Sequence, residues 1–493
     1  MARGTGKVLV TLGFLALAAR AHAGCGGSKF GTTPDCTVGE AGCECDSDDD
    51  CEDELVCRSD VCTSESSGSP GAGGAGESGA NNGAGSGEPS SAASSGGTSS
   101  GSGNPSGGEG GDNGSMGAGG EPGGGTGGTG GRTTSLPSGP LSNVTALELG
   151  NGVSCALLED RTVACWGHGD SGQLGDGTGG YRTFPARVPG LAGVASISAG
   201  QWHVCAVLEG GGMRCWGHNY YGQLGDGTTE NRTSPVEVSE ITSAVAVSGG
   251  WLYTCALLEN GTVSCWGSNE NGELGDPSQD VAMRATPGAV SGLANVASIA
   301  AGSYQTCARL LDGSLRCWGY GGNGALGDGM NMSSTTPVTV SNLDSAVDVS
   351  AGNSFNCARV EGGDLACWGW NTSGTLGPDT SAEFEPSPVY VSISGVEAVA
   401  LGDSHVCAVV GDAGVSCWGR NNYGQLGRAV ENYSATPGAV AGLESATRIA
   451  CGSWHCCAVL SDTTVRCWGS NEFGALGNGM TDHSTTPVMV TVP

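Results

Sequence analysis

The region from residue 141 to 493 alternates short apolar runs with polar turns in a pattern typical of β-hairpins. In TCALLENGTVSCWG, residues 254–267, two β-prone runs flank a turn at Asn260 and Gly261. Glycine after the turn centre supplies the positive φ that a tight hairpin loop requires. Because no stretch of useful length has helical periodicity, this region is predicted to be all-β.

The hairpin pattern belongs to a longer repeat that occurs seven times. Three markers recur at a spacing of roughly 50 residues: a cysteine followed by tryptophan and glycine, a second cysteine ten residues earlier, and a proline followed three residues later by valine. The tryptophan and the leucine of a G-x-L-G motif occur in every copy, so we expect them to pack between neighbouring repeats.

The cysteine pairs are predicted to be disulfides across adjacent strands. Nine residues separate the two cysteines of each pair, which places them opposite each other on either side of the hairpin turn. Zinc binding is disfavoured because the C-x-x-C spacing is missing. The expected pairs are Cys155–Cys165, Cys205–Cys215, Cys255–Cys265, Cys307–Cys317, Cys357–Cys367, Cys407–Cys417 and Cys457–Cys467, with a local bridge Cys451–Cys456.

The repeats are predicted to close into a ring. A single repeat cannot bury both faces of its sheet, and an open stack would need polar caps that neither end provides. The strand from Val144 to Gly150 and the strand from Pro487 to Val490 read as complementary parts of one repeat. They should meet and close a seven-bladed β-propeller.

The stretch GQWHVCAVLEGGGMRCWGHNYYGQLGDGT, residues 200–228, resembles the repeat of the regulator of chromosome condensation family, with its G-x-x-H, W-G-x-N and G-Q-L-G-x-G elements. The resemblance covers all seven copies and implies a seven-bladed propeller with a binding surface on its faces. The family name also implies guanine-nucleotide exchange on a small GTPase. A secreted propeller of this repeat type inhibits β-lactamases through a ring face, which implies a protein-binding role.

The paired cysteines depart from the family pattern and indicate an oxidising compartment, where a cytosolic GTPase would not be met. Residues 1–24 have the basic start and apolar run of a secretory signal. Two cleavages compete: an A-x-A site at Ala21 to Ala23, and a lipoprotein box that would leave Cys25 lipidated. The expected location is secreted or at the cell surface, as an outer-membrane lipoprotein if Cys25 is lipidated.

Two further segments precede the propeller. Residues 25–62 form an acidic, cysteine-rich segment whose six cysteines at positions 36 to 62 predict a small disulfide-rich unit of open connectivity. Residues 63–140 are rich in glycine and serine with hardly any large apolar side chain, so a long disordered linker is predicted. The propeller itself is assigned to residues 141–493.

Charge excludes one class of partner. The chain has 49 acidic residues against 19 basic ones and a net charge of −30, and lysine occurs only at positions 7 and 29. Such a chain repels polyanions, so no nucleic-acid partner is expected. No stretch is long and apolar enough to span a bilayer, so the only predicted membrane contact is an N-terminal lipid.

The candidate binding residues are those that differ between copies. Aromatic and histidine residues precede the first cysteine of most copies, and further aromatics follow W-G; the hairpin should bring both sets to one end of the blades. The alternative is that the histidines and aromatics plug the ring and bond neighbouring backbone. The candidate partner-binding residues are Trp202, His203, Tyr220, Tyr221, Trp251, Tyr253, Tyr304, Phe355, Trp370, His405, Tyr423, Trp454 and His455.

No catalytic motif stands out, and neither a cofactor nor a metal is expected; a zinc site from the three histidines is disfavoured because they belong to separate blades. The predicted function is a non-catalytic, secreted or surface-tethered monomer that binds a protein or glycan ligand, with adhesion as one such role. The alternatives are an inhibitor or regulator of an extracytoplasmic enzyme and, more remotely, nucleotide exchange.

Overall fold

The computed structural model of the chain describes residues 55–58, 61–64, 135–277 and 281–493. The predicted signal segment and lipidation site lie outside the described residues, and so do residues 65–134 of the predicted linker; the end of that linker range is described and includes a short strand at Gly139–Pro140. Of the cysteine-rich segment the structure describes two antiparallel strands, β1 (Leu55–Arg58) and β2 (Val61–Ser64), in which Cys57 and Cys62 are backbone partners. The connectivity of its six cysteines stays a prediction.

Seven four-stranded antiparallel sheets make up residues 144–489, and each is formed by four consecutive strands. We call them blades 1 to 7. Blade 1 consists of β4 (Val144–Leu149), β5 (Val153–Leu158), β6 (Val163–Gly167) and β7 (Arg182–Arg187), and blade 2 of β8 (Val194–Ala199), β9 (His203–Leu208), β10 (Met213–Gly217) and β11 (Arg232–Glu237). Blade 3 consists of β12 (Ala244–Gly249), β13 (Tyr253–Leu258), β14 (Val263–Ser268) and β15 (Met283–Ala289), and blade 4 of β16 (Val296–Ala301), β17 (Gln305–Leu310), β18 (Leu315–Gly319) and β19 (Ser334–Thr339).

Blades 5 to 7 repeat the same order. They are β20 (Ala346–Ala351), β21 (Phe355–Val360), β22 (Leu365–Trp370) and β23 (Phe384–Val391); β24 (Val396–Leu401), β25 (His405–Val410), β26 (Val415–Arg420) and β27 (Tyr433–Ala439); and β28 (Ala446–Cys451), β29 (His455–Leu460), β30 (Val465–Gly469) and β31 (Ser484–Met489). Short 3-10 helices occur at Gly322–Gly324 and Gly411–Ala413. The first strand of each blade contacts the first strand of the next, and β28 contacts β4, so the ring is closed. The predicted seven-bladed propeller is confirmed.

The closure differs from the prediction in one respect. The ends of the propeller do meet, but they do not complete a shared blade: β4 belongs to blade 1 and β31 to blade 7. Instead β3 (Gly139–Pro140) pairs with β32 (Thr491–Val492), and the amide of Leu141 donates to the carbonyl of Val490 at 3.0 Å. The prediction of one shared repeat was wrong because the repeat boundary falls between the fourth strand and the next first strand, which leaves every blade continuous in sequence.

The seven repeated tryptophans lie between the blades, as predicted, and every one is fully buried. Each indole Nε1 donates to a backbone carbonyl of the preceding blade, at the residue before the leucine of G-x-L-G, over distances of 2.8 to 3.1 Å. The last junction has the same bond, because Trp166 of blade 1 donates to Ala475 of blade 7. At Gly225, where φ is +69°, a Cβ would lie 2.6 Å from Nε1 of Trp266, so only glycine fits beside the indole.

All eight predicted disulfides of the propeller are present. In the seven blade bridges the two cysteines are direct partners on the second and third strands, with Cα atoms 4.0 to 4.2 Å apart. Cys451 and Cys456 are bridged across the first and second strands of blade 7. Every one of these bridges therefore lies inside a blade.

The indole bond gives a test of what holds the ring. Trp418→Phe removes the N–H that the carbonyl of Thr375 accepts and leaves a gap at a fully buried junction. We expect a loss of about 2–3 kcal/mol in the free energy of unfolding, measured by chemical denaturation. Tyr433→Phe, on a side chain that is 64% exposed, is the control and should change little. Equal stability of the two variants would contradict the role assigned to the indole.

Candidate functional site

The two loops of each blade that carry variable residues lie at the same end of the ring. They connect the first strand to the second and the third strand to the fourth. The residue after W-G donates its backbone N–H to the first of these loops: His218 to Trp202, Tyr320 to Tyr304, and Ser470 to Trp454, each at 2.9 Å. The predicted convergence of the two loop sets on one end is therefore present.

The exposed and half-buried aromatic residues of these loops form what we call the aromatic face. Its rings pair across neighbouring blades: Trp251 meets Tyr304 edge to face at 4.9 Å, and Tyr423 meets Trp454 at 5.6 Å. The members are Trp202, Tyr220, Tyr221, Trp251, Tyr304, Tyr320, Trp370, Tyr423, Trp454 and Phe473.

Two histidines that the sequence did not single out contact these aromatic rings: His168 is buried beneath them and His483 is exposed. His168 stacks on Phe473 at 4.1 Å and meets Trp202 edge to face at 5.5 Å, while His483 lies 5.2 Å from Tyr423. The position of His168, directly after W-G, was a signal available in the sequence. His483 lies at the end of the loop between the third and fourth strands of blade 7, where the copies differ in length, so no repeated position marks it in the sequence.

Five of the predicted partner-binding residues are not on the surface. His203, Tyr253, Phe355, His405 and His455 are at most 1% exposed, so their side chains do not line the aromatic face. Each stands at the first position of the second strand of its blade and points into the junction with the next blade. This corrects the prediction for these residues and agrees with the alternative reading in which they plug the ring.

The buried residues pair with the next blade according to polarity. Polar side chains meet polar partners: His203 Nε2 lies 2.7 Å from Thr254 Oγ1, and His455 Nε2 lies 2.8 Å from Ser154 Oγ. Where the first member is apolar, its neighbour in the next blade is valine. The remaining pairs are Tyr253 with Thr306, Gln305 with Asn356, His405 with Cys456, Val153 with Val204 and Phe355 with Val406.

At the centre of the same end the loops surround a cavity of about 170 Å³ lined largely by glycine, serine and two acidic residues. Gln201 of blade 2 donates to Asp403 of blade 6 at 3.1 Å across this opening. Burial raises the pKa of Asp403 to about 6, opposed by its hydrogen bond with Ser453 and the charge of Arg420. A Cβ on Gly150 would lie 2.2 Å from the carbonyl oxygen of Gly200, which shows how closely the inner loops approach one another.

Sequence comparison gives the family. The profile described as "Regulator of chromosome condensation (RCC1) repeat" matches residues 162–207, 211–257, 260–309, 312–359 and 412–459. A second profile of the same description matches residues 194–223, 244–273, 296–325, 346–375, 396–425 and 446–475. This chain belongs to the RCC1 repeat family. A sequence search of curated proteins gives no significant match.

Solved structures of RCC1-type propellers share the fold. Yeast RCC1 (Prp20), in a structure with Kap60 bound, is 19% identical with a TM-score of 0.61 over 73% of this chain and 90% of its own. Human WBSCR16 is 23% identical with a TM-score of 0.60 over 67% and 94%. Prp20p from Saccharomyces cerevisiae, described with its binding to Gsp1p and histones, is 20% identical with a TM-score of 0.61 over 71% and 87%. Within the described residues of our chain, no helix reaches the length and hydropathy needed to cross a membrane.

Three histidines of this RCC1-repeat ring, His203, His405 and His455, are buried at the junctions between blades. Burial lowers the pKa of His203, His405 and His455 to about 3, so they remain neutral. The Ser154–His455 pair has the spacing of a nucleophile and base, but both side chains are buried and the hydroxyl donates to the carbonyl of Ala475 at 2.9 Å.

One cluster of potential metal ligands occurs among the described residues: His405 with Cys451 and Cys456. The two sulfurs are joined in a disulfide, whereas zinc is bound by thiolates, so this cluster is no zinc site in the oxidised protein. His203 and His455 are held by hydroxyls in separate junctions.

The polarity rule of the junction can be tested by exchanging one pair for another. His203→Phe together with Thr254→Val imitates the natural pair Phe355 and Val406. We expect each single variant to lose stability and the double variant to be more stable than the sum predicts, by about 1 kcal/mol. Denaturant unfolding of the four proteins measures this coupling energy, and strict additivity would contradict the pairing.

The same variants predict a pH effect. The pKa of His203 is about 3 in the folded protein against 6.5 for an ordinary histidine, so its contribution to stability is complete above pH 6.5 and is lost as the pH falls toward 3. The free energy of unfolding of the wild-type protein should therefore fall more between pH 7 and pH 4 than that of the double variant. Identical pH profiles would show that His203 does not remain neutral in the fold.

Proposed function

We propose that this chain is an exported propeller that binds a protein partner on its aromatic face. The observation that carries the proposal is the set of tryptophan and tyrosine pairs that remain half-exposed at one end of the ring, as in Trp251 with Tyr304 and Tyr423 with Trp454. Tryptophan and tyrosine are enriched where protein interfaces gain most of their binding energy. The binding of Kap60, Gsp1p and histones described for the yeast RCC1 relatives supports a protein partner here by analogy.

The distribution of residues among the copies supports the same surface. The tryptophan after each third-strand cysteine occurs in every blade and is buried, whereas Trp202, Trp251 and Trp454 occur in only some copies and are half-exposed. A residue that every blade needs serves the blade, and a large aromatic side chain present in a few blades has no such structural requirement. A glycan ligand could also stack on these rings, so the capture experiment below uses extracts that contain both.

The aromatic face predicts a loss of partner capture on truncation. In the variant with Trp202→Ala, Trp251→Ala and Trp454→Ala, we expect recovery of the partner from extracytoplasmic extracts to fall by about tenfold or more. Leu311→Ser is the control, because Leu311 is 72% exposed and lies on the hairpin turn at the opposite end of blade 4. Quantitative mass spectrometry of the captured material measures the change. Undiminished capture by the triple variant would overturn the proposal.

Export is the second part of the proposal. The eight disulfides of the propeller support an oxidising compartment. We expect the N-terminal segment to be removed by one of the two predicted cleavages, which leave either a free N-terminus after Ala23 or a lipidated Cys25. Intact mass of the mature protein distinguishes an acylated Cys25 from a free N-terminus after Ala23. A chain that retains Met1 would contradict export by this route.

A further inference from the structure

The copies of the repeat can be compared at one position, the residue after W-G. In blade 6 this residue is Arg420, and its guanidinium carbon lies 5.1 Å from the ring centroid of Trp454 in blade 7. Burial raises the pKa of Asp403, in the loop between the first and second strands of the same blade, and the charge of Arg420 opposes that rise. The junction of blades 6 and 7 therefore contains a cation beside an aromatic ring.

The corresponding place between blades 3 and 4 lacks that cation. Ser268 stands where blade 6 has Arg420, and Tyr304 stands where blade 7 has Trp454. A cavity of about 30 Å³ occupies this place, and its walls include Trp251, Tyr304, Ser268, Glu270 and Glu273. The rings of Trp251 and Tyr304 are 4.9 Å apart at 65°, and Tyr320 lies 6.1 Å beyond Tyr304.

Two acidic side chains, Glu270 and Glu273, line the cavity, and burial raises the pKa of Glu273. Glu273 replaces the glutamine that blades 1, 2 and 6 have in G-Q-L-G, and it is only 2% exposed. Its carboxylate accepts the backbone N–H of Asn271 at 2.8 Å and the side-chain amide of Asn271 at 2.9 Å. Within the described residues, neither Glu270 nor Glu273 forms an ion pair with a basic side chain.

The electrostatics at Tyr304 agree with this description. Partial burial and the neighbouring Asp403, Glu273 and Glu270 raise the pKa of its phenol. A negative potential at an aromatic ring favours a cation against the ring face. The space is sufficient for a group of the size of an ammonium or for the end of a guanidinium, because a single water needs about 10–15 Å³.

We propose that this pocket, lined by Trp251, Tyr304, Glu270 and Glu273, binds a lysine or arginine side chain of the protein that docks on the aromatic face. The proposal rests on the proposed function and names the chemistry of the partner: a basic side chain fills the place that Arg420 fills within the chain itself. It accounts for the glutamate in place of glutamine at position 273, for the serine at position 268 and for the open space between them.

The test uses the full-length chain and four short peptides that differ in one residue. Each peptide has a glycine backbone and carries arginine, its neutral isostere citrulline, lysine, or its neutral counterpart norleucine. We expect the arginine or the lysine peptide to bind at least about fivefold more tightly than its neutral counterpart, measured by NMR titration. Equal binding of charged and neutral peptides would overturn the proposal.

The residues that other blades have at the same positions suggest two variants of the pocket. Ser268→Arg supplies the cation from within, as blade 6 does, and Glu273→Gln restores the residue of blades 1, 2 and 6. Each should weaken binding of the basic peptide by about fivefold or more. The matched control is Glu472→Gln, which removes one exposed acid from the corresponding loop of blade 7. A loss in the control equal to that in Glu273→Gln would mean a general charge effect and would overturn the pocket.

The outcome separates this proposal from the proposed function. Denaturant unfolding of the Ser268→Arg variant is measured first. We expect this variant to be folded, because blade 6 has an arginine, Arg420, at the same position. If the peptides do not distinguish the pocket variants while the triple tryptophan variant still loses its partner, the pocket is wrong and the aromatic face stands. If the peptides bind as expected while the triple variant captures normally, the captured partner docks outside the aromatic face; this overturns the proposed function and leaves the pocket as a site for basic side chains alone.

Discussion

The architecture depends on one bond repeated at each junction, from a buried indole N–H to a backbone carbonyl of the preceding blade. No continuous backbone ladder joins one blade sheet to the next; single backbone bonds, such as that from the amide of Gly227 to the carbonyl of Ala285 at 3.1 Å, cross the junctions, and the indoles fill the space between the sheets. The indole gives both a large buried area and a direction, because its single donor has one acceptor to reach. The glycine that follows the G-x-L of the motif, as at Gly225, lets the loop that carries the acceptor carbonyl approach the ring.

A second layer lies beside the indoles and makes the junctions different from one another. In six of the seven junctions the paired residues at the start of the second strands are polar with polar or apolar with apolar, while His405 meets the disulfide sulfur of Cys456; a shifted pairing of blades would bury a histidine against valine. The indole layer is the same in all junctions and cannot distinguish neighbours. With the two layers inside the ring, the loops at its end are free to vary, and the aromatic face and the acidic pocket are built from that variation.

Much of the fold could be predicted because seven internal copies show which residues every blade needs. The cysteine spacing gave the bridges and the tryptophan gave the junctions. The side chains at the candidate site were harder, since Trp202 and His203 are adjacent in sequence and face opposite ways: the second strand begins at His203, and successive side chains of a strand alternate. The bond from Gln201 to Asp403 joins blades 2 and 6, and no pattern within a repeat could indicate it.

The disulfides of the propeller decide which fragments stay covalently joined after proteolysis. Each bridge joins strands of one blade, and none joins two blades. A protease that cleaves a hairpin turn, such as the one at Asp160, leaves both ends attached through Cys155 and Cys165. A cut in a connection between two blades has no such covalent bridge, and the ring is then held by the indole bonds, the backbone hydrogen bonds between blades and the short pairing of β3 with β32.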